Sequence, residues 1–277
     1  MVKQLLNDNL TLQISDLQVH FPVSKGLVKA VDGISAQFEH GKITGIIGES
    51  GCGKSVLGQA LLGLLPDYVT RSGQILYRGT DILANAAGIP GFYGQEFALI
   101  PQNPGDALNP LRKIGRQFDD ILQAAALKDN DQQLKRSLLS YFGLSDTARI
   151  LSAYPHELSG GMRQRAALIR TLALKPELLL LDEPFSALDY QTRLNVSDDI
   201  GRILKKEQKT AILVTHDISE AISMADRVVI LSARPAQVAR IVTIRLSLDE
   251  RTPLASRSAP EFKSYFNLIW KELNQYA

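Results

Sequence analysis

The sequence has one cysteine, few aromatic residues and almost no net charge. Cys52 is the single cysteine among 277 residues, which excludes an internal disulfide and indicates a reducing compartment. Lys and Arg total 31 against 29 Asp and Glu, and this balance gives no general attraction to nucleic acid, so no nucleic-acid partner is expected. No apolar run approaches the roughly 20 residues of a membrane span, and we expect no signal peptide. If the protein serves a membrane process, other chains are expected to cross the membrane.

Short apolar runs alternate with helical patterns along most of the chain. Continuous apolar runs of this length are typical of buried parallel strands. The alternation predicts an α/β domain with a mostly parallel sheet. The predicted strands of this sheet are 42–47, 97–100, 178–182, 211–215 and 227–231.

The main domain is predicted over residues 1–240. Two regions within it depart from this alternation. Residues 10–45 mix Thr, Val, Ile and Phe with turn residues, which favours antiparallel strands and an N-terminal β subdomain. Residues 111–174 show helical periodicity and little strand signal. This stretch is therefore predicted to be an α-helical subdomain inserted in the sheet domain.

A C-terminal extension is predicted over residues 241–277. Ser258 and Glu261 have the spacing of a capping box and precede an apolar stripe at helical spacing. The extension is thus predicted to end in an amphipathic helix. Packing of that helix on its own domain is favoured over binding of a partner. The stripe consists of Phe262, Phe266, Ile269 and Leu273.

The stretch GESGCGKS, residues 48–55, fits the pattern G-x-x-x-x-G-K-[ST] between a predicted strand and a predicted helix. Glycines let successive N–H groups surround an anion, and the following helix adds its positive N-terminal end. Lys54 would neutralise the β- and γ-phosphates of a nucleotide, and the Ser55 hydroxyl would bind Mg²⁺. The alternative for the whole stretch is a glycine-rich turn that fits the pattern by chance. For Cys52 the expected role is that of a small loop residue, and the alternative is a redox role. The predicted phosphate-binding residues are Gly48, Glu49, Ser50, Gly51, Cys52, Gly53, Lys54, Ser55 and Val56.

Four further stretches follow in a fixed order. They are LSGGMRQR (158–165), LLLLDEP (178–184), SALD (186–189) and VTHD (214–217). Together with the phosphate loop they resemble the motifs of the ATP-binding cassette (ABC) superfamily over roughly residues 10–235. The resemblance implies a P-loop NTPase core, with ATP and Mg²⁺ as ligands and ATP hydrolysis as the reaction.

The resemblance also implies roles for four polar residues. Asp182 ends a buried strand, where a carboxylate is costly unless a charge such as water-bridged Mg²⁺ meets it. Glu183 would orient and polarise the attacking water, and His216 would bind the γ-phosphate. Gln102, in LIPQNP, would reach Mg²⁺ and the attacking water, and its loop would touch a transmembrane partner. The alternative for Asp182 and Glu183 is a pair of surface acids at a strand end. The alternative for His216 is a histidine bonded within the fold, and that for Gln102 is a surface glutamine.

Two further assignments depend on the resemblance. Ser159, Gly160 and Gly161 open a helix, and in the family this end closes on the γ-phosphate held by another subunit. Asp189 would lie at the same interface. Phe21 is the best match for the aromatic residue that stacks on adenine, with ordinary core packing as the alternative.

The resemblance points to an ATPase subunit that powers solute import. Residues 101–111 and 153–168 resemble the peptide/nickel import branch, whereas 216–238 and the tail resemble the nitrate/sulfonate/taurine branch. The expected partners are a second cassette subunit, identical or homologous, transmembrane permease subunits and an extracytoplasmic solute-binding protein. The expected location is the cytoplasmic face of the cell membrane. The sequence does not identify the solute. The alternatives to an importer subunit are a soluble ATPase that acts in assembly or regulation and the ATPase of an exporter.

Overall fold

The computed structural model describes residues 10–24, 26–85, 89, 92–124, 132–141, 143–186, 188–248 and 251–275. Ala187 of the SALD stretch and residues 125–131 and 142 of the predicted helical insert lie outside the described residues. No helix in the described ranges is both long and apolar enough to cross a lipid bilayer.

A six-stranded sheet forms the centre of the molecule, with the strand order β10-β9-β3-β8-β7-β6. The five strands from β9 to β6 are parallel, and β10 is antiparallel to β9. The predicted mostly parallel sheet is thereby confirmed. Its strands are β3 (Ile43–Ile47), β6 (Phe97–Ile100), β7 (Leu178–Asp182), β8 (Thr210–Thr215), β9 (Arg227–Leu231) and β10 (Val238–Thr243).

Both faces of the six-stranded sheet are covered, which explains its continuous apolar runs. Successive side chains of a strand point to opposite faces. Leu178 and Leu180 therefore enter the core beside the N-terminal strands, whereas Leu179 and Leu181 enter the core on the other face.

The N-terminal subdomain is a four-stranded antiparallel sheet of order β2-β1-β4-β5. The antiparallel strands expected over residues 10–45 are confirmed as β1 (Leu10–Val23) and β2 (Gly26–Glu39). The sheet is completed by β4 (Thr70–Tyr77) and β5 (Thr80–Asp81), which the sequence pattern did not predict.

Helices surround the two sheets, and four of them form the inserted subdomain around a separate apolar core. The inserted helices are α3 (Ile114–Ala124), α4 (Gln132–Tyr141), α5 (Thr147–Ser152) and α6 (Gly160–Leu172). The other helices are α1 (Lys54–Leu61), α2 (Ile82–Asn85), α7 (Tyr190–Lys206), α8 (Ile218–Met224), α9 (Pro253–Ser256) and α10 (Phe262–Gln275). The side chains of Ser159, Asp189 and Asp217 accept backbone N–H bonds at the starts of α6, α7 and α8, which fixes where these helices begin.

The C-terminal helix α10 packs on its own domain. Ile269 is fully buried in the core that β3, β7 and β8 share with α8, so the predicted packing is confirmed. The predicted capping box is wrong. The Ser258 N–H donates to the Ala255 carbonyl, and the Glu261 carboxylate accepts from the Ser247 hydroxyl at 2.5 Å, so α10 begins only at Phe262. The boundary placed at residue 240 stays a prediction.

Candidate functional site

The candidate site lies where four parallel strands end. The carboxyl ends of β3, β6, β7 and β8 are at one edge of the sheet, because these strands are parallel and paired in the order β3-β8-β7-β6. The loops that follow them carry the predicted phosphate loop, Gln102, Glu183 and His216. The fold therefore gathers residues that are far apart in the sequence.

The phosphate loop is packed tightly against β2. Gly53 has a φ of 126°, and a Cβ at this position would lie 2.5 Å from the Ala30 carbonyl oxygen. Only glycine fits this conformation and this approach without strain. Lys54, the first residue of α1, is 6% exposed, and its Nζ donates to the carbonyl oxygens of Gly48 at 2.8 Å and Glu49 at 2.7 Å.

The other residues of the loop differ in exposure. Glu49, Ser50, Gly51 and Ser55 are exposed, and Val56 is half-buried. Their exposure leaves the loop accessible to a ligand.

Cys52 is buried beside Gly48. A Cβ on Gly48 would lie 2.7 Å from the Cys52 Sγ, so the sulfur fills the space that a side chain there would need. Burial raises the pKa of the Cys52 thiol. Because the thiolate is the reactive form, this environment disfavours the redox alternative and supports a packing role.

Gln102, Glu183 and His216 meet in one hydrogen-bonded group. Gln102 Nε2 donates to Glu183 Oε2 at 3.3 Å, and His216 Nδ1 lies 3.2 Å from Glu183 Oε1. Both oxygens of the Glu183 carboxylate are thus engaged, which fixes its orientation. The His216 side chain is 57% exposed.

The backbone of Glu183 is strained. Its φ is 46°, a left-handed conformation that costs a non-glycine residue about 1–3 kcal/mol. Two hydrogen bonds hold it: the Glu183 N–H donates to the Val214 carbonyl at 2.8 Å, and the Ser186 hydroxyl donates to the Glu183 carbonyl at 3.0 Å. Strain maintained in this way directs the carboxylate to one place.

Asp182 is the last residue of β7 and is half-buried. Burial and the neighbouring Glu183 raise the pKa of the Asp182 carboxyl, against an opposing effect of Lys54. A divalent cation would compensate this carboxylate. In the described part of the chain, no three His, Cys, Asp or Glu side chains form a metal cluster. The half-buried Asp182 carboxylate fits Mg²⁺, which proteins bind through one or two carboxylates together with substrate phosphates.

The residues expected to meet the nucleotide of another subunit form a separate surface, which we call the signature surface. Ser159, Gly160, Gly161 and Asp189 line an open pocket of about 340 Å³ whose lining includes none of the phosphate-loop residues. The fold thus brings these four residues together but does not bring them to the phosphate loop of the same chain.

Phe21 is half-buried near the end of β1, opposite Val28. It packs against the same apolar core as Val56, the third residue of α1. This position is compatible with core packing and, through its exposed part, with the predicted adenine contact.

Three residues that support the loops were not assigned roles from the sequence. Gln164 donates through Nε2 to the Pro184 carbonyl next to Glu183. Arg193 donates to the Leu188 carbonyl at 3.2 Å and lies 3.7 Å from the Asp217 carboxylate. Glu220 accepts from the Thr215 hydroxyl. Gln164 lies within LSGGMRQR and could have been found there, but Arg193 and Glu220 carry no local signal.

Comparison with protein families gives a match to a family model. Residues 31–186 match the model described as ABC transporter. The match includes the phosphate loop, the LSGGMRQR stretch, and Glu183 after the end of β7.

The chain is also similar to individual proteins. It is 42% identical over 249 residues to the Bacillus subtilis ABC transporter ATP-binding protein YtlC, covering 88% of each chain. It is 36% identical over 227 residues to the dipeptide transport ATP-binding protein DppD of Bacillus subtilis, covering 80% of this chain and 68% of that protein. A solved dimeric structure of a bacterial ABC transporter cassette superposes with a TM-score of 0.70 at 21% identity, covering 84% of this chain and 99% of the other. At this identity the structural match shows the fold alone.

Proposed function

The chain belongs to the ABC transporter family of ATPases, and from this premise we propose that it is the ATP-hydrolysing subunit of a solute importer. The observation that carries the proposal is the meeting of Gln102, Glu183 and His216 beside the phosphate loop. These are the groups needed to position water and a γ-phosphate at the end of a bound nucleotide.

The phosphate loop, residues 48–55, binds the nucleotide. Lys54 exchanges the carbonyl oxygens of Gly48 and Glu49 for the β- and γ-phosphates of ATP. Ser55, Gln102 and Asp182 would hold Mg²⁺, and the bound ion supplies neutralising charge to the phosphate oxygens.

Glu183 acts on the attacking water. Its carboxylate accepts the proton of the water, a role worth about 10²–10⁴-fold in rate. The Gln102 amide keeps one carboxylate oxygen in place, and His216 lies beside the other and binds the γ-phosphate. Phe21 stacks on the adenine.

A second cassette, identical or homologous, completes the site. Ser159 caps α6, and the N-terminal N–H groups of that helix form an anion-binding end. Its pocket is open and separate from the phosphate loop, which supports a head-to-tail arrangement in which each signature surface closes on the partner's nucleotide. Asp189 lies on the same surface. ATP binding closes the dimer because ATP binds the closed state better, and hydrolysis reopens it.

An apolar groove beside β6, the strand that precedes the Gln102 loop, supports coupling to a permease. The groove, about 290 Å³, lies beside the edge strand β6, which leads directly to Gln102. Leu64 is 51% and Tyr93 is 55% exposed there, although large apolar side chains are usually buried. We assign the groove to a cytoplasmic helix of the permease. The groove is lined by Leu62, Leu64, Tyr93, Gly94, Phe97, Ala98, Leu99, Ile121, Arg170, Thr171 and Leu174.

The proposed location is the cytoplasmic face of the cell membrane, with an extracytoplasmic solute-binding protein as a further partner. Relatives named as dipeptide and oligopeptide transport ATP-binding proteins support an importer and leave the solute of this chain open.

The hydrolysis mechanism is tested with Glu183→Gln. This variant is expected to bind ATP and elute from a sizing column as a nucleotide-trapped dimer, whereas Glu177→Gln, at a half-buried acid paired with Arg78, should behave like the wild type. A Glu183→Gln chain that binds ATP and stays monomeric, even beside its permease, would contradict the proposal.

The importer assignment is tested by purifying the chain from detergent-solubilised membranes. Permease subunits are expected to copurify, and Leu64→Glu should reduce their recovery while the ATPase activity of the isolated chain persists. Trp270→Glu, at an exposed position on α10, serves as the control. Recovery without any membrane protein would favour the soluble assembly or regulatory ATPase instead.

A further inference from the structure

The turn that follows β9 runs beside the phosphate loop in a fixed register. β3 and β9 pair in parallel, with Gly45 opposite Val228 and Ile47 opposite Ile230. The same register continues one residue further: a Cβ on Gly48, just after β3, would lie 3.2 Å from the Cβ of Leu231, the last residue of β9. The end of β9 is therefore in contact with the start of the loop, and the turn begins directly after this contact.

Arg234 makes the closest polar contact between the two segments. Its Nε and Nη2 donate to the Gly51 carbonyl oxygen at 3.2 Å and 2.8 Å. This two-donor arrangement is the kind that the planar guanidinium forms well and that a lysine cannot copy.

The backbone around Arg234 is anchored independently of the loop. The Ala236 N–H donates to the Ala30 carbonyl at 3.1 Å, and the Ala236 carbonyl accepts from the Asp32 N–H at 3.0 Å. The Ser232 hydroxyl donates within the turn to the Pro235 carbonyl at 3.1 Å. The turn is thus fixed to β2 and can act as a support for the loop.

The Gly51 carbonyl belongs to a peptide plane whose other side carries the Cys52 N–H. That N–H donates inside the loop to the Glu49 carbonyl at 3.2 Å, while Arg234 holds the carbonyl from outside. Gly51 has a φ of 78°, and a glycine can rotate this plane at little cost. A rotated plane would direct a carbonyl oxygen toward the anion, where a phosphate-binding loop requires N–H groups.

We propose that Arg234 is a positioning residue that holds the Gly51–Cys52 peptide with its carbonyl outward and so keeps the phosphate loop ready for nucleotide. The inference rests on the proposed phosphate-binding function of residues 48–55. Because the β-phosphate is common to ATP and ADP, Arg234 acts on the affinity for both nucleotides and not on the chemical step.

The test compares Arg234→Ala with the wild-type full chain and with Arg240→Ala, which removes an exposed arginine of β10 that pairs with Glu272. For Arg234→Ala we expect the Kd of both ATP and ADP to rise about fivefold to tenfold, as for the loss of one hydrogen bond of ordinary strength, because Arg234 acts on the nucleotide only through the loop. The kcat at saturating ATP should stay within about twofold, and Arg240→Ala should bind like the wild type. Unchanged Kd values for Arg234→Ala would overturn the inference. So would a lower unfolding temperature of the nucleotide-free chain without a change in Kd, which would mark a purely structural role.

Two further measurements distinguish the local hydrogen bonds of Arg234 from a long-range effect of its charge, and this inference from the proposed phosphate-binding function. A long-range effect of charge is screened by salt, whereas the local hydrogen bonds are not. The ratio of Kd values between Arg234→Ala and wild type should therefore be the same at low and high salt, and a ratio that falls to one at high salt would overturn the inference. Lys54→Ala is the reference for the proposed function. If Lys54→Ala loses nucleotide binding and Arg234→Ala does not, only the inference on Arg234 fails; if Lys54→Ala binds normally, the proposed function fails.

Discussion

The Glu220 carboxylate accepts a hydrogen bond from the Thr215 hydroxyl directly behind the turn that carries His216. Thr215 Oγ1 in turn accepts from the Asp217 N–H at 3.1 Å, so the residues on both sides of His216 are tied to Glu220. Burial raises the pKa of Glu220 to about 7; nearby Asp217 and Glu183 add to this effect, and the Thr215 bond and Arg193 oppose it.

The stability of the protein should therefore depend on pH through Glu220. Its folded pKa lies above the ordinary value of 4.5, so the folded chain binds the proton more tightly than the unfolded chain. The contribution of protonated Glu220 is fully present below about pH 4.5 and is lost as the pH rises to about 7, with a slope of at most ~1.4 kcal/mol per pH unit.

Glu220→Gln isolates this contribution, because the amide cannot titrate. Denaturant unfolding of both proteins between pH 5 and pH 8 should give a difference in unfolding free energy that changes up to about pH 7 and is constant above it. A difference that is constant across the whole range would show that Glu220 does not titrate as inferred.

Lys54→Ala should abolish measurable nucleotide binding. The lysine supplies charge-assisted bonds to two phosphates, and their loss is expected to raise the Kd for ATP by about 100-fold or more. Isothermal titration with ATP measures this change. Lys42→Ala, an exposed lysine just before β3, is the matched control. Full ATPase activity of Lys54→Ala would refute the phosphate role.

The inserted helical subdomain contains an ion pair between a buried lysine and a half-buried aspartate, and substitution of the two residues should have different effects on stability. Lys135 on α4 is fully buried and pairs with Asp119 on α3. Asp119→Ala leaves a buried charge without a partner and should lower the unfolding free energy by about 3 kcal/mol. Lys135→Met replaces the charge with an apolar chain and should cost much less.

The neighbouring Asp120 is a suitable control for Asp119. It forms a half-exposed ion pair with Arg112 at 2.8 Å, and such surface pairs contribute about 0–1 kcal/mol. Equal losses of unfolding free energy in Asp119→Ala and Asp120→Ala would contradict the importance of the buried pair.

The sequence could predict the parts of the site whose chemistry is local. A strand, a glycine-rich loop and a helix follow one another over residues 43–61, so their pattern is visible in a short window. The parallel sheet was likewise predictable, because strands buried on both faces appear as continuous apolar runs.

Contacts between distant segments could not be predicted in this way. The bond between Arg234 and Gly51 joins residues 183 apart and depends on the register of β3 and β9. The capping box failed for a related reason: Glu261 binds Ser247, which lies on a segment 14 residues earlier. In both cases the partner of a polar side chain lies far away in the sequence and comes close only in the tertiary structure. The hydrogen bond could therefore not be predicted from the local sequence.

The C-terminal extension is expected to unfold together with the ATPase domain. Ile269 is fully buried between α10 and the core, whereas the next residue, Trp270, is 57% exposed. Ile269→Ala should lower the unfolding free energy by about 2–5 kcal/mol, because it removes apolar contacts and leaves a cavity. Trp270→Ala, on the outer face of the same helix, should change it by only about 0.5 kcal/mol. The unfolding of Ile269→Ala is measured by calorimetry and by denaturant titration, with the fluorescence of Trp270 as the signal. Both measurements should show one cooperative transition, with a midpoint lower than that of the wild type. If α10 instead melts in a separate transition below that of the domain, the extension is an independent unit, and the boundary placed at residue 240 would divide two units that fold separately.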